Sequence, residues 1–97
     1  MKQIIGVLGL AQRAKKLCFG EIAMRSISNQ QAQLIILSED IGENSKNKYY
    51  NKCHYYQIDI ITLSSDTIKF ALGKSNIKSI AVLDKGFAEK LKTLAKG

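Results

Sequence analysis

Ala32-Gln33-Leu34-Ile35-Ile36-Leu37 is aliphatic from end to end but for one glutamine. Continuous rather than alternating apolarity marks a strand covered on both faces, the situation of a sheet with helices packed on each side. Working outward, Ile58, Ile60, Ile61 and Leu63 make a second short strand, Ser79-Ile80-Ala81-Val82-Leu83 a third, and Leu17-Cys18-Phe19 a shorter apolar run. Helical spacing fills the intervals. Residues 3–14 place Ile4, Val7, Leu8 and Ala11 on one face. Residues 20–29 do so with Ala23, Met24 and Ile27, and a helix near 45–55 carries Tyr49, Tyr50 and Cys53 among lysines. Ser64-Ser65-Asp66 caps a short helix ending at Gly73, with Ile68, Ala71 and Leu72 inward. Asp84 caps the last helix, whose face is Phe87, Ala88, Leu91 and Leu94. Gly6 and Gly9 interrupt the first helix and are expected to mark close packing against the sheet. The expected fold is α/β, a three-layer α/β/α sandwich with a small mixed sheet, in a single domain over 1–97.

Fifteen Lys and Arg against eight Asp and Glu give a net charge of +7 on 97 residues, which favours a polyanionic partner, most simply nucleic acid. A membrane surface is the competing polyanion. The basic residues are scattered, however, with no polybasic tail beside a greasy anchor and no apolar run of bilayer length. The start, Met1-Lys2-Gln3-Ile4-Ile5-Gly6, has no signal-peptide pattern, so a cytoplasmic location is expected. Two cysteines, Cys18 and Cys53, suit a reduced compartment, the first as a core residue and the second as an inward helical position.

The pattern is poor in catalytic chemistry. No Gly-x-x-x-x-Gly-Lys-Ser/Thr loop is present, and no GxGxxG follows a strand. Cys53 and the single histidine, His54, are neighbours in sequence and do not converge easily on one metal, and no CxxC completes a site. Glu39 and Asp40 sit at a strand end, where ligands meet α/β sheets, although turn capping explains Asp40 as well. No enzyme activity, cofactor, metal or small-molecule substrate is expected.

The informative stretch is Lys15-Lys16-Leu17-Cys18-Phe19-Gly20-Glu21-Ile22-Ala23-Met24-Arg25-Ser26-Ile27. A glycine opening a helix leaves amides unpaired and positively polarised, ready for a phosphate. Glu21 and Arg25 project from one face, four residues apart. They form either an ordinary surface ion pair or an acceptor and a fork-shaped donor aimed at RNA, where base edges and phosphates lie side by side.

Leu8-Gly9-Leu10-Ala11-Gln12-Arg13-Ala14-Lys15-Lys16, Gly20-Glu21, Leu37-Ser38-Glu39-Asp40, Leu72-Gly73-Lys74-Ser75 and Asp84-Lys85-Gly86-Phe87-Ala88 occur in that order along the chain. Together they resemble the kink-turn-binding ribosomal protein family often called L-seven-Ae, in its bacterial YlxQ-like branch. The resemblance implies the three-layer fold and non-catalytic binding of structured RNA at the kink-turn; the RNA is expected to be ribosomal or regulatory, and the protein a monomer. It also implies a site built from a helix start carrying Asn-Glu-x-x-Lys, an Ala-Glu-Asp turn and a loop before the last strand. With Arg25 on the family's lysine, Glu21 takes the asparagine position and Ile22 the glutamate position. A shift by one instead keeps Glu21 as the glutamate and places Gly20 and Met24 beside it. Ser38-Glu39-Asp40 matches the turn. The loop is Gly73, Lys74, Ser75, Asn76, Ile77 and Lys78, with Ile77 against an extruded base and Lys16 among the surrounding phosphate contacts. The alternative function is a protein-interaction or scaffold domain whose basic face is only solvated.

Overall fold

The computed structural model describes residues 2–96. Its elements are α1 (Lys2–Arg13), β1 (Leu17–Phe19), α2 (Gly20–Ser28), β2 (Leu34–Ser38), α3 (Glu43–Tyr56), β3 (Ile60–Leu63), α4 (Ser65–Leu72), β4 (Ser79–Val82) and α5 (Lys85–Lys96). All five residues of β2 are buried. Because successive strand side chains point to opposite faces, Leu34 and Ile36 enter one core while Ile35 and Leu37 enter another. The first core is completed by Ile4 and Leu8 of α1, Ile68 and Leu72 of α4, and Ala88 and Leu91 of α5. The second is completed by Ala23 and Ile27 of α2 with Tyr49 and Cys53 of α3. Three helices thus cover one face of the sheet and two the other.

The sheet runs β1-β4-β2-β3, with β2 parallel to β3 and antiparallel to β4, and β1 antiparallel to β4. The register pairs Phe19 with Ile80 and Leu37 with Ser79. The exits of β1 and β2 and the entry to β4 therefore share one end of the sheet, and the segments attached there are forced together.

The expected caps form. Ser64 Oγ accepts from the Thr67 amide at 3.1 Å, and Asp84 Oδ2 accepts from the Phe87 amide at 2.9 Å. Two local expectations need correction. Gly9 approaches the Ala71 carbonyl oxygen of α4, 3.7 Å from where a Cβ would stand, and nothing lies within 4 Å of Gly6. The close contact is thus between helices, because Ile4 and Leu8 occupy the sheet-facing side of α1. The strand expected from Ile58 starts at Ile60. Gln57 turns into the left-handed region at φ 58° and the Ile58 amide returns to the Cys53 carbonyl at 2.9 Å, so these residues close α3 instead.

Candidate nucleic-acid interface

Gly20 adopts φ +59°, a conformation that other residues reach only with strain, and it turns the chain from β1 directly into α2. Phe19 precedes it in extended conformation and contributes no side-chain cap, so the first amides of α2 have no side-chain acceptor there. Ala23 and Ile27 anchor the helix to the sheet. Its outward face carries exposed Glu21 and Arg25, and Ile22 stands 59% exposed beside them. Among the described residues the ion pairs are Lys78–Asp40, Lys92–Asp59 and Lys92–Glu89. The ordinary Glu21–Arg25 surface pair is not formed, and both groups are left directed at solvent.

The start of α2 is held from beneath. Tyr49 of α3 is 4% exposed, and its hydroxyl lies 3.0 Å from the Gly20 carbonyl oxygen and 2.8 Å from Ser79 Oγ. One phenol thus links the opening of α2 to the first residue of β4. Burial pushes its pKa up, and the Ser79 hydrogen bond opposes that shift.

Two further segments meet this end. In the turn after β2, the Ser38 hydroxyl donates to Asp40, and Lys78 Nζ donates to Asp40 Oδ2 at 2.7 Å. The hydrogen bond from Lys78, then that from Ser38, holds the Asp40 carboxyl below the usual carboxylate range. Glu39 remains exposed while its amide donates to the Leu63 carbonyl at 2.9 Å. The loop from 73 to 78 has Gly73 at φ +71° and Asn76 at φ +67°, and Lys74 Nζ stands 5.5 Å from the centre of the Phe19 ring. Gly20, Glu21, Met24, Lys48, Tyr49 and Lys78 are among the residues lining a hollow of about 440 Å³ at this end.

Of the residues expected from the sequence, Gly20, Glu21, Ile22, Arg25, Glu39, Lys74, Ser75, Asn76, Ile77 and Lys78 lie on the three segments that converge. Ile77 is half-buried and packs against the first core, which leaves only part of its side chain outward. Lys16 is not brought in. Its carbonyl accepts from the Leu83 amide, at the opposite end of β1 from Gly20, roughly 13 Å away at the rise of a strand. Sequence reasoning missed Tyr49, Ser79 and Lys48 as parts of this end. The one available signal was that Tyr49 and Cys53 are spaced i, i+4 in an otherwise polar helix, which marks them as its inward pair. Among the described residues no cluster of three or more His, Cys, Asp and Glu could hold a metal ion, and no helix is long and apolar enough to cross a membrane.

A small mixed sheet between three helices and two defines an α/β/α sandwich, and an uncapped helix start and two loops meet at one end of its strands. Residues 2–92 match the ribosomal protein L7Ae/L30e/S12e/Gadd45 family, and the chain belongs to that family. It is 38% identical over 90 residues to the RNA-binding protein YlxQ of Bacillus subtilis (strain 168), covering 91% of this chain and 90% of that protein. It is 35% identical over 98 residues to the RNA-binding protein YlxQ of Enterococcus faecium, with 99% and 94% covered. Among solved structures, a protein of unknown function from Bacillus halodurans C superposes with a TM-score of 0.92 at 36% identity over 97% of each chain. The Giardia lamblia 15.5kD RNA binding protein shares the fold, with a TM-score of 0.77 at 10% identity over 95% of this chain and 83% of that one.

Proposed function

We propose that residues 1–97 form a single, non-catalytic RNA-binding domain, working as a cytoplasmic monomer on structured RNA of the kink-turn kind, ribosomal or regulatory. The observation that carries this reading is the convergence of the α2 start, the 38–40 turn and the 73–78 loop, with Glu21 and Arg25 left unpaired among the described residues. Duplex RNA hides its base edges in a deep, narrow groove, so a specific reader needs bulges and non-standard pairs. There a carboxylate accepts from guanine N–H groups, and an arginine donates to guanine O6 and N7. The open amides of α2 suit a phosphate at the same place. Relatives along nearly the whole chain carry the name RNA-binding protein, which supports the same reading.

The test compares an RNA holding tandem sheared G·A pairs beside a bulge with a matched straight duplex, titrated across a range of salt. Preference for the kinked RNA is expected. Arg25→Ala should leave the melting temperature nearly unchanged, because Arg25 is exposed and has no ion-pair partner among the described residues. It should weaken the kinked complex by about 1–3 kcal/mol. Equal affinity for both RNAs refutes kink-turn recognition, and no binding to either returns the chain to the scaffold reading.

A further inference from the structure

Beyond Lys48, the outer side of α3 plays no part in the site described above. In its fourteen residues the only acid is Glu43, in the first turn, whereas Lys46, Lys48 and Lys52 follow within nine positions. Among the described residues none of these lysines is in an ion pair. Tyr49 and Cys53 point inward. At 100° per residue Lys48, Lys52 and Tyr55 then fall on one stripe, spaced i, i+4, i+7. The hollows at its two ends show where the stripe lies. Lys48 shares a hollow with Gly20, Glu21 and Met24, at the start of α2. Tyr55 shares a second hollow, of about 540 Å³, with Gln30 and Ala32 just beyond the end of α2. The two helices therefore run side by side in the same direction, with Lys48 beside the start of α2 and Tyr55 just beyond its end.

Tyr55 is 79% exposed, and its ring stands edge-on to Tyr56 with centroids 4.9 Å apart. An aromatic ring left in water and braced by a neighbour is a stacking platform. A basic track ending in one is the arrangement that holds single-stranded nucleic acid, with cations along the backbone and rings against the bases. Lys48 and Lys52 are one turn apart, about 6 Å, so they meet successive stretches of one backbone rather than a single phosphate. A duplex would leave the exposed ring without a base to stack on.

We propose that the Lys48–Lys52–Tyr55 stripe of α3 binds an unpaired RNA strand that leaves the structured RNA held at the start of α2. The proposal rests on the RNA-binding reading, and it adds a second contact surface with its own ligand class. The strand passes Lys48 at the shared hollow, follows Lys52, and stacks a base on Tyr55.

The experiment uses the full chain and two forms of the kinked RNA. One is the core alone. The other carries an unpaired uridine extension of about eight nucleotides, placed at the 5′ end in one version and at the 3′ end in another. One extension should raise wild-type affinity about tenfold. Lys52→Ala, and separately Tyr55→Ala, should lose most of that gain and bind the core alone as the wild type does. Tyr55→Phe, which keeps the ring, should retain most of it. A gain from neither extension overturns the proposal, and so do variants that keep the gain or lose affinity equally for both forms. If the core alone goes unbound while an extended RNA binds through Lys48, Lys52 and Tyr55, the track stands and the kink-turn reading falls.

Discussion

Replacing Tyr49 by phenylalanine removes one oxygen and keeps the ring, so the packing of the ring in the second core is retained. The oxygen stands 3.0 Å from the Gly20 carbonyl and 2.8 Å from Ser79 Oγ. Gly20 is exposed, so its carbonyl regains water, whereas Ser79 is 6% exposed and its hydroxyl is stranded. Among the described residues no buried side-chain polar atom lacks a partner, so the variant creates a defect the wild type does not have. A lost hydrogen bond that leaves one buried partner unsatisfied costs about 1–2 kcal/mol. In a domain of this size that corresponds to a fall in Tm of roughly 5–15 °C. Thermal unfolding followed by circular dichroism measures it, and urea unfolding should show a lower midpoint at unchanged slope. The phenol also predicts a pH effect. Its pKa is raised in the fold, so the stability tied to the protonated hydroxyl is present below the ordinary value of 10 and is lost as pH rises beyond it. The stability gap between wild type and Tyr49→Phe should therefore shift between pH 9 and pH 11, windows set about one unit either side of that value. Because the phenol also fixes the α2 start, affinity for the kinked RNA should drop severalfold in the folded variant. A Tm within about 1 °C of wild type would refute the idea that this hydroxyl holds the two segments together.

Lys74 packs over the Phe19 ring with no ion-pair partner among the described residues, whereas Lys78 is bound to Asp40. Lys74→Ala should therefore flatten the salt dependence of RNA binding by roughly one unit of slope, and Lys78→Ala should flatten it by less, without changing which RNA is preferred. A selective loss of the kinked RNA in the Lys74 variant would instead make that lysine a specific contact. Cys53 is 2% exposed and burial pushes its thiol up to about 11, so at pH 8 it should resist a chromogenic disulfide reagent. Half-buried Cys18 should react first, and both should react at once in urea; prompt reaction of two thiols in the native protein would contradict the packing of α3.

Much of the architecture was legible in one dimension. The unbroken run at 34–37 implied a strand covered on both sides, and its alternate residues do enter two separate cores. The helical faces at Ile4, Leu8 and Ala11 and at Ala88 and Leu91 and the caps at Ser64 and Asp84 follow from local periodicity and side-chain reach. The family was legible too, from motifs spread in order along the chain, and residues 2–92 match it.

What local rules do not carry is the order β1-β4-β2-β3. Strand neighbours are chosen by which packing buries both faces, a property of the whole chain rather than of any window. That order carries residues 20–25, 38–40 and 73–78 to one end and leaves Lys16 at the other, although Lys16 lies closer to Gly20 in sequence than any residue of the turn or the loop does. The same holds for Tyr49, whose hydroxyl meets Gly20 and Ser79 across separations of 29 and 30 residues. It holds for Glu21 and Arg25, whose spacing permits an ion pair that the fold does not form. The sequence by itself determined the elements, their inward faces and the family. Only the tertiary structure decided which ends meet, because side-chain periodicity acts over a few residues and strand pairing acts over the whole chain.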